Sequence, residues 1–124
     1  HNFSYQQRLP TMMSPTVIMD DHEPELVLGS GGSNRIRSAI LQVILNYFNK
    51  GMSLNEAVTT SRIHLEGNIL HCEPDISSKI ENKLQDEIQI HNWDLQNLFF
   101  GGVNAVTPNE AVGDPRRGGT GIVY

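Results

Sequence analysis

Cysteine is nearly absent from these 124 residues, and the single Cys72 cannot form an internal disulfide. Basic residues are scarce too: nine Lys and Arg against fourteen Asp and Glu leave a net charge of −5. The densest basic cluster is Arg116-Arg117, which falls short of the clustered cations that phosphate contacts need, so nucleic-acid binding is excluded. No apolar run approaches the roughly 20 residues of a membrane-spanning helix, and residues 1–10 carry no leader-like apolar core. His71 and His91 stand alone and no pair has the spacing of a zinc site; no metal or organic cofactor is implied. Internal repeats and low-complexity segments are also missing.

What is present reads as one globular domain over 1–124, with 38% hydrophobic and 19% charged residues. Residues 1–12 are polar and irregular, as if continuing something begun upstream. Thr16–Met19 and Glu25–Leu28 flank a polar turn and predict a β-hairpin. Ile36, Ala39, Ile40, Val43, Ile44, Tyr47 and Phe48 form one apolar helical stripe, with Asn34 at the N-cap position and Gly51 past the end. Ser53-x-x-Glu56 is a capping box that starts a second helix. Ile69–Cys72 reads as a strand, and Pro74-Asp75 opens a third helix with Ile76, Ile80 and Leu84 on one face. Three more strands are expected, at Glu87–His91, Leu98–Val106 and Gly121–Tyr124, the last as a natural C-terminal strand. The order predicts an α+β fold, with helices packed on an antiparallel sheet.

Chemistry concentrates in the strand, glycine-rich loop and helix from Leu26 to Ile36. Glycines let the backbone approach a ligand, and the helix start adds unpaired N–H groups, a combination that stabilises negative charge. A phosphate loop would need Gly-x-x-x-x-Gly-Lys-Ser/Thr, and no Lys follows. A nucleophile elbow needs Gly-x-Ser-x-Gly, and Leu28 stands where its first Gly belongs. From the residues alone, an oxyanion site and a plain strand-to-helix turn both stay open.

A succession of motifs spans almost the whole chain: RLPTMMSPT (8–16), LGSGGSNRI (28–36), Leu41-Gln42-Val43, GMSLNEAV (51–58), SRIH (61–64) and DPRR (114–117). In this order and spacing they resemble the C-terminal part of the small subunit of γ-glutamyltransferases. That resemblance implies a piece of the αββα sandwich of N-terminal nucleophile hydrolases. In such enzymes the precursor cuts itself, and a new N-terminal Thr attacks a γ-glutamyl amide with its own α-amine as base. The acyl group then passes to water or to an amino-acid or peptide amine. Backbone N–H groups of Gly31, Gly32 and Ser33 would form the oxyanion hole, where the family's Gly-Ser-Pro-Gly-Gly-Ser-Arg reads Gly-Ser-Gly-Gly-Ser-Asn-Arg here. Thr11 and Met12 fall on the Ser-Ser pair that holds the donor's carboxylate, and Met12 cannot donate the hydrogen bond of the second Ser.

The resemblance further implies that the catalytic Thr and the large subunit belong to the remainder of the precursor. That remainder is the expected partner, together with a small γ-glutamyl substrate. The 124 residues alone would be inert, with apolar surface that favours self-association. Many such relatives are exported, which points to a periplasmic or extracellular setting. Alternatives are a non-catalytic anion-binding or assembly module, and an acylase that acts on another amide. Arg62, His64, Asp114 and Arg116 read as architecture, and Asp114 and Arg116 as an ion pair or turn cap. Cys72, Met12, Met13, Met19 and Met52 are expected as packing residues, and Trp93, Phe99 and Phe100 as core or subunit-contact residues. His22 is expected to be exposed, while His71 and His91 stand alone in the sequence.

Overall fold

The computed structural model describes residues 5–6, 8, 10–76 and 88–124. Strand β1 (Thr16–Asp20) turns through Asp21 and His22 into β2 (Glu23–Gly31), which forms the expected antiparallel hairpin. Strand β2 also pairs antiparallel with β6 (Gly102–Val106), which pairs with β7 (Ala111–Val112), giving the order β1-β2-β6-β7. Period-two alternation decides which face is buried. Leu26, Leu28, Val103 and Ala105 are buried, whereas Val27 and Val106 are exposed.

The buried face meets α1 (Ile36–Ile44) and α2 (Leu54–Thr59), and Ile36, Ala39, Ile40, Val43, Leu54, Ala57 and Val58 complete one core. The capping box forms as read: the Ser53 hydroxyl accepts from Glu56 N–H and the Glu56 carboxylate accepts from Ser53 N–H. The cap at Asn34 does not. Asn34 lies inside a 3₁₀ turn (Ser33–Arg35) that feeds α1, and no side chain caps the helix. Past Ile44 the helix widens into a π turn (Leu45–Asn49), so Lys50 N–H reaches Leu45 O and buries Asn46.

A second sheet runs β3 (Ile63–Glu66), β4 (Ile69–Cys72), β5 (Gln89–Asn92). The four-stranded sheet is the expected antiparallel sheet with packed helices, while in this second sheet β3 and β4 are antiparallel and β4 and β5 parallel. Pro74–Ile76 form a turn, and the rest of the third predicted helix, with Ile80 and Leu84, lies outside the described residues. Leu98–Phe100 is a 3₁₀ turn rather than a strand, capped by the Asn97 side chain on Phe99 N–H. Gly121–Tyr124 forms no strand, although Gly121 presses so closely on Ala111 O that no side chain would fit. Cys72 is fully buried, as expected for a packing residue. Met12, Met13 and Met19 are exposed instead, and Met52 packs against the core. No helix of the described residues is long and apolar enough to cross a membrane.

Candidate active site

Four buried charges fix the ground on which the site stands. Arg62 Nη2 lies 2.8 Å from Asp114 Oδ2 and donates to Val58 O at 2.8 Å, while Nη1 reaches Phe100 O at 3.3 Å. Arg116 binds Asp114 Oδ1, both Glu73 oxygens, Val58 O and Thr60 O. Glu73 also accepts from Arg62 N–H and Asn97 N–H, and Asp114 accepts from Val103 N–H and Arg116 N–H. Two cations and two anions balance, so each charge meets the opposite sign at hydrogen-bond distance. Arg62 and Asp114–Arg116 therefore do prove architectural. Glu73 went unread in the sequence: an acid between a strand and a proline carries no motif.

Burial pushes the Asp114 carboxyl up, but Arg62, the N–H groups of Val103 and Arg116, and the Arg116 charge outweigh it, and its pKa ends below the ordinary value. Arg62 is lowered, by burial first and then by Arg116. Arg116 is raised: Glu73 and Asp114 overcome its burial.

On this base two glycine turns meet. Gly31 pairs with Gly102 across β2 and β6, and a Cβ on Gly32 would lie 2.9 Å from Gly101 Cα. Ser30 Oγ donates to Gly31 O and accepts from Gly102 N–H. Arg35 Nε donates to Phe99 O at 3.0 Å, and its guanidinium sits 4.8 Å over the Phe99 ring. The backbone turns left-handed at Gly32 (φ 125°) and again at Ser33 (φ 56°), where a non-glycine residue is strained. Among the described residues no acceptor is found for the N–H groups of Gly32 and Ser33. Two successive open donors at a left-handed turn form a cradle for negative charge.

The second predicted stretch reaches the same place, with Met12 Sδ 3.8 Å from Ser33 Oγ. Thr11 Oγ1 meanwhile accepts from Met13 N–H at 3.2 Å. The structure thus brings Met12 against Ser33, 21 positions away in sequence.

His64 packs beneath the helix. The Ser38 hydroxyl donates to Arg35 O, so the network assigns the proton between Ser38 and His64 to Nδ1 at 2.9 Å. His64 Nε2 is then a buried acceptor with no partner among the described residues. Burial lowers the His64 pKa, against the pull of Glu66 and with help from Arg35, His71 and Arg37. His71 is not isolated: it faces His64 on β3 and His91 on β5 and packs with Trp93 and Phe99. Strand register, which sequence spacing does not disclose, creates that row. No group of three potential ligands able to hold a metal exists among the described residues.

This α+β arrangement is that of the N-terminal nucleophile hydrolases, the class of its structural neighbours. The γ-glutamyltranspeptidase family model matches residues 3–124, and the chain belongs to that family. The capsule biosynthesis protein CapD proenzyme of Bacillus anthracis is 32% identical over 120 residues, covering 92% of this chain and 22% of the relative. A crystal structure of B. anthracis CapD, a transpeptidase, superposes with a TM-score of 0.79 at 30% identity, covering 96% of this chain and 75% of the other. The glutathione hydrolase proenzyme of Pseudomonas aeruginosa is 28% identical over 126 residues (94% and 22%). The acylase ACY 1 proenzyme of a Pseudomonas species is 31% identical over 103 residues (83% and 18%). The chain spans about a fifth of the length of the curated relatives it matches.

Acid should unfold the chain in two stages. The lowered His64 favours the neutral folded form, so stability is lost as pH falls below about 6.5, the ordinary histidine value. The lowered Asp114 contributes stability that is lost only below about 4, the ordinary aspartate value. In urea titrations across pH, His64→Gln should shrink the upper stage, leaving the part carried by His71, whose pKa burial and then His91 also lower, and should leave the lower stage unchanged. At the loop, Gly32→Ala should cost about 1–2 kcal/mol, because it strains a left-handed position and meets Gly101. Ser33→Gly should instead be neutral or stabilising by up to about 1 kcal/mol, as read by denaturant midpoints.

Proposed function

We propose that the full-length protein is a self-processing γ-glutamyl acyltransferase or hydrolase, and that this chain supplies its oxyanion loop. The observation that carries the reading is the cradle at Gly31–Ser33, whose open N–H groups sit beside Met12. An upstream Thr, freed by cleavage of the precursor, attacks the donor carbonyl with its α-amine as base. The loop N–H groups receive the oxygen charge of the tetrahedral intermediate, a role in which one donor is worth about 2.7–4 kcal/mol. An acyl-threonine forms as the amine leaves, and water or an amino-acid or peptide amine resolves it. Thr11 helps hold the donor's carboxylate. The working partner is the remainder of the precursor, in keeping with the proenzyme names of the relatives.

Met12 favours one second reading. Its thioether offers no donor where a carboxylate would need one, and one matched relative is named an acylase. On that reading the same machinery cleaves an amide other than γ-glutamyl.

The intact mass of the purified full-length product tests the proposal. Two chains are expected, the smaller beginning at a Thr upstream of His1; one uncut chain would overturn it. Met12→Ser separates the two donors. Restoring a hydroxyl should lower KM for a γ-glutamyl anilide by about three- to tenfold, the worth of one added hydrogen bond. An unchanged or raised KM would favour the other acylase donor.

A further inference from the structure

A run of hydrogen bonds ties the buried imidazole of His64 to the glycine loop. His64 Nδ1–H donates to Ser38 Oγ at 2.9 Å, and the Ser38 hydroxyl donates to Arg35 O at 3.1 Å. Arg35 N–H in turn donates to Gly32 O at 3.2 Å and closes the turn that carries Gly32 and Ser33. The side chain of Arg35 leads back to the same ring. Its guanidinium sits 4.8 Å over Phe99, and His64 packs steeply against Phe99 with 6.0 Å between ring centres.

Strand register leads from His64 to water. His71 stands opposite His64 and His91 opposite His71, the last two with ring centres 5.3 Å apart. His91 is exposed, His71 half-buried and His64 only 7% exposed. Arg35 and Arg37 face His64 from the helix side, Glu66 from the end of β3 and His71 from β4, while Phe99 adds a neutral ring. Two fixed cations and a second imidazole thus stand against one carboxylate. Among the described residues His64 Nε2 has no partner. A proton placed there would create a buried N–H with no acceptor and a charge beside two arginines. To hydrate that charge the ring has to leave its seat, and Ser38 then loses its donor.

Resting on the function proposed above, we infer that His64 is an acid switch on the oxyanion loop. A proton arriving from the exposed end of the row drives the His64 ring out and frees Ser38 and Arg35. The turn that presents the N–H groups of Gly32 and Ser33 then loosens. The neutral ring is the working state, and burial favours it. Coupling of this kind is reciprocal, so whatever orders the loop also keeps His64 neutral. Acid then opens the loop before it reaches the cluster of Arg62, Glu73, Asp114 and Arg116.

Hydrogen exchange on the full-length protein at about pH 8 and about pH 5, on either side of the ordinary histidine value, provides the test. Each rate is divided by the intrinsic rate at its pH. Wild-type protection at 30–33 should fall at least about fivefold on acidification, the low end for coupled sites, while 39–43 in α1 stays protected. His64→Asn keeps a donor for Ser38 and cannot charge; Ser38→Ala leaves His64 free to titrate but cuts the chain. Both should hold 30–33 level between the two pH values, and Ser38→Ala decides alone if His64→Asn does not fold. With a γ-glutamyl anilide, kcat should fall over the same interval more steeply in wild type than in Ser38→Ala, which retains only the titration of the nucleophile's amine. Level wild-type protection at 30–33, or an equal fall in Ser38→Ala, would overturn the inference alone. A wild type that shows the fall but cleaves no γ-glutamyl donor at about pH 8 would overturn the proposed function and leave the switch standing.

Discussion

A balanced cluster of two arginines and two carboxylates, closed to water, is the constraint on which the rest of this chain depends. Arg62 and Arg116 gather carbonyls from the end of α2 and from Phe100, while Glu73 and Asp114 collect N–H groups at Arg62, Asn97, Val103 and Arg116. Backbone groups from three separate stretches, 58–62, 97–103 and Arg116, are thereby satisfied at one point. A charge left alone in that place would cost several kcal/mol, so removing any member should loosen all the segments it ties. The apolar core beneath holds helices to sheet, but it does not by itself say where the 97–101 segment or the 113–119 arm must run.

That placement shapes the loop. Fixing Phe100 and Val103 fixes Gly101-Gly102, and Gly101-Gly102 is the surface on which Gly31-Gly32 turns. Arg35 adds a second tie by reaching back to Phe99 O. The left-handed backbone at Gly32 and Ser33 persists because neighbours on both sides leave no alternative course.

Much of this was legible in the residues, and for physical reasons. The hairpin, the α1 stripe and the Ser53–Glu56 box are local patterns, and each formed where its period or cap chemistry placed it. The glycine loop was legible as a turn from strand to helix, and it stands there between β2 and the 3₁₀ turn that starts α1, but its composition alone left its use open. What failed was non-local. Asn34 lost the cap because a 3₁₀ turn started the helix two residues early, on a left-handed Gly32. Leu98–Phe100 curled into a 3₁₀ turn under the Asn97 cap although its composition favours strand, and Gly121–Tyr124 ran beside β7 without pairing. Glu73 and the row of His64, His71 and His91 depend on strand register and on a contact 43 residues apart, which no spacing rule exposes.

Hydrogen exchange resolved to peptides, on the full-length protein carrying Glu73→Gln, tests the dependence most directly. Glu73 is bound to Arg62, Asn97 and Arg116 and makes no contact with the glycine loop. If the cluster holds the loop, exchange should quicken at 98–103 and at 30–33 together, while the α1 core keeps its protection. Faster exchange confined to the neighbours of Glu73, with 30–33 unchanged, would contradict the account.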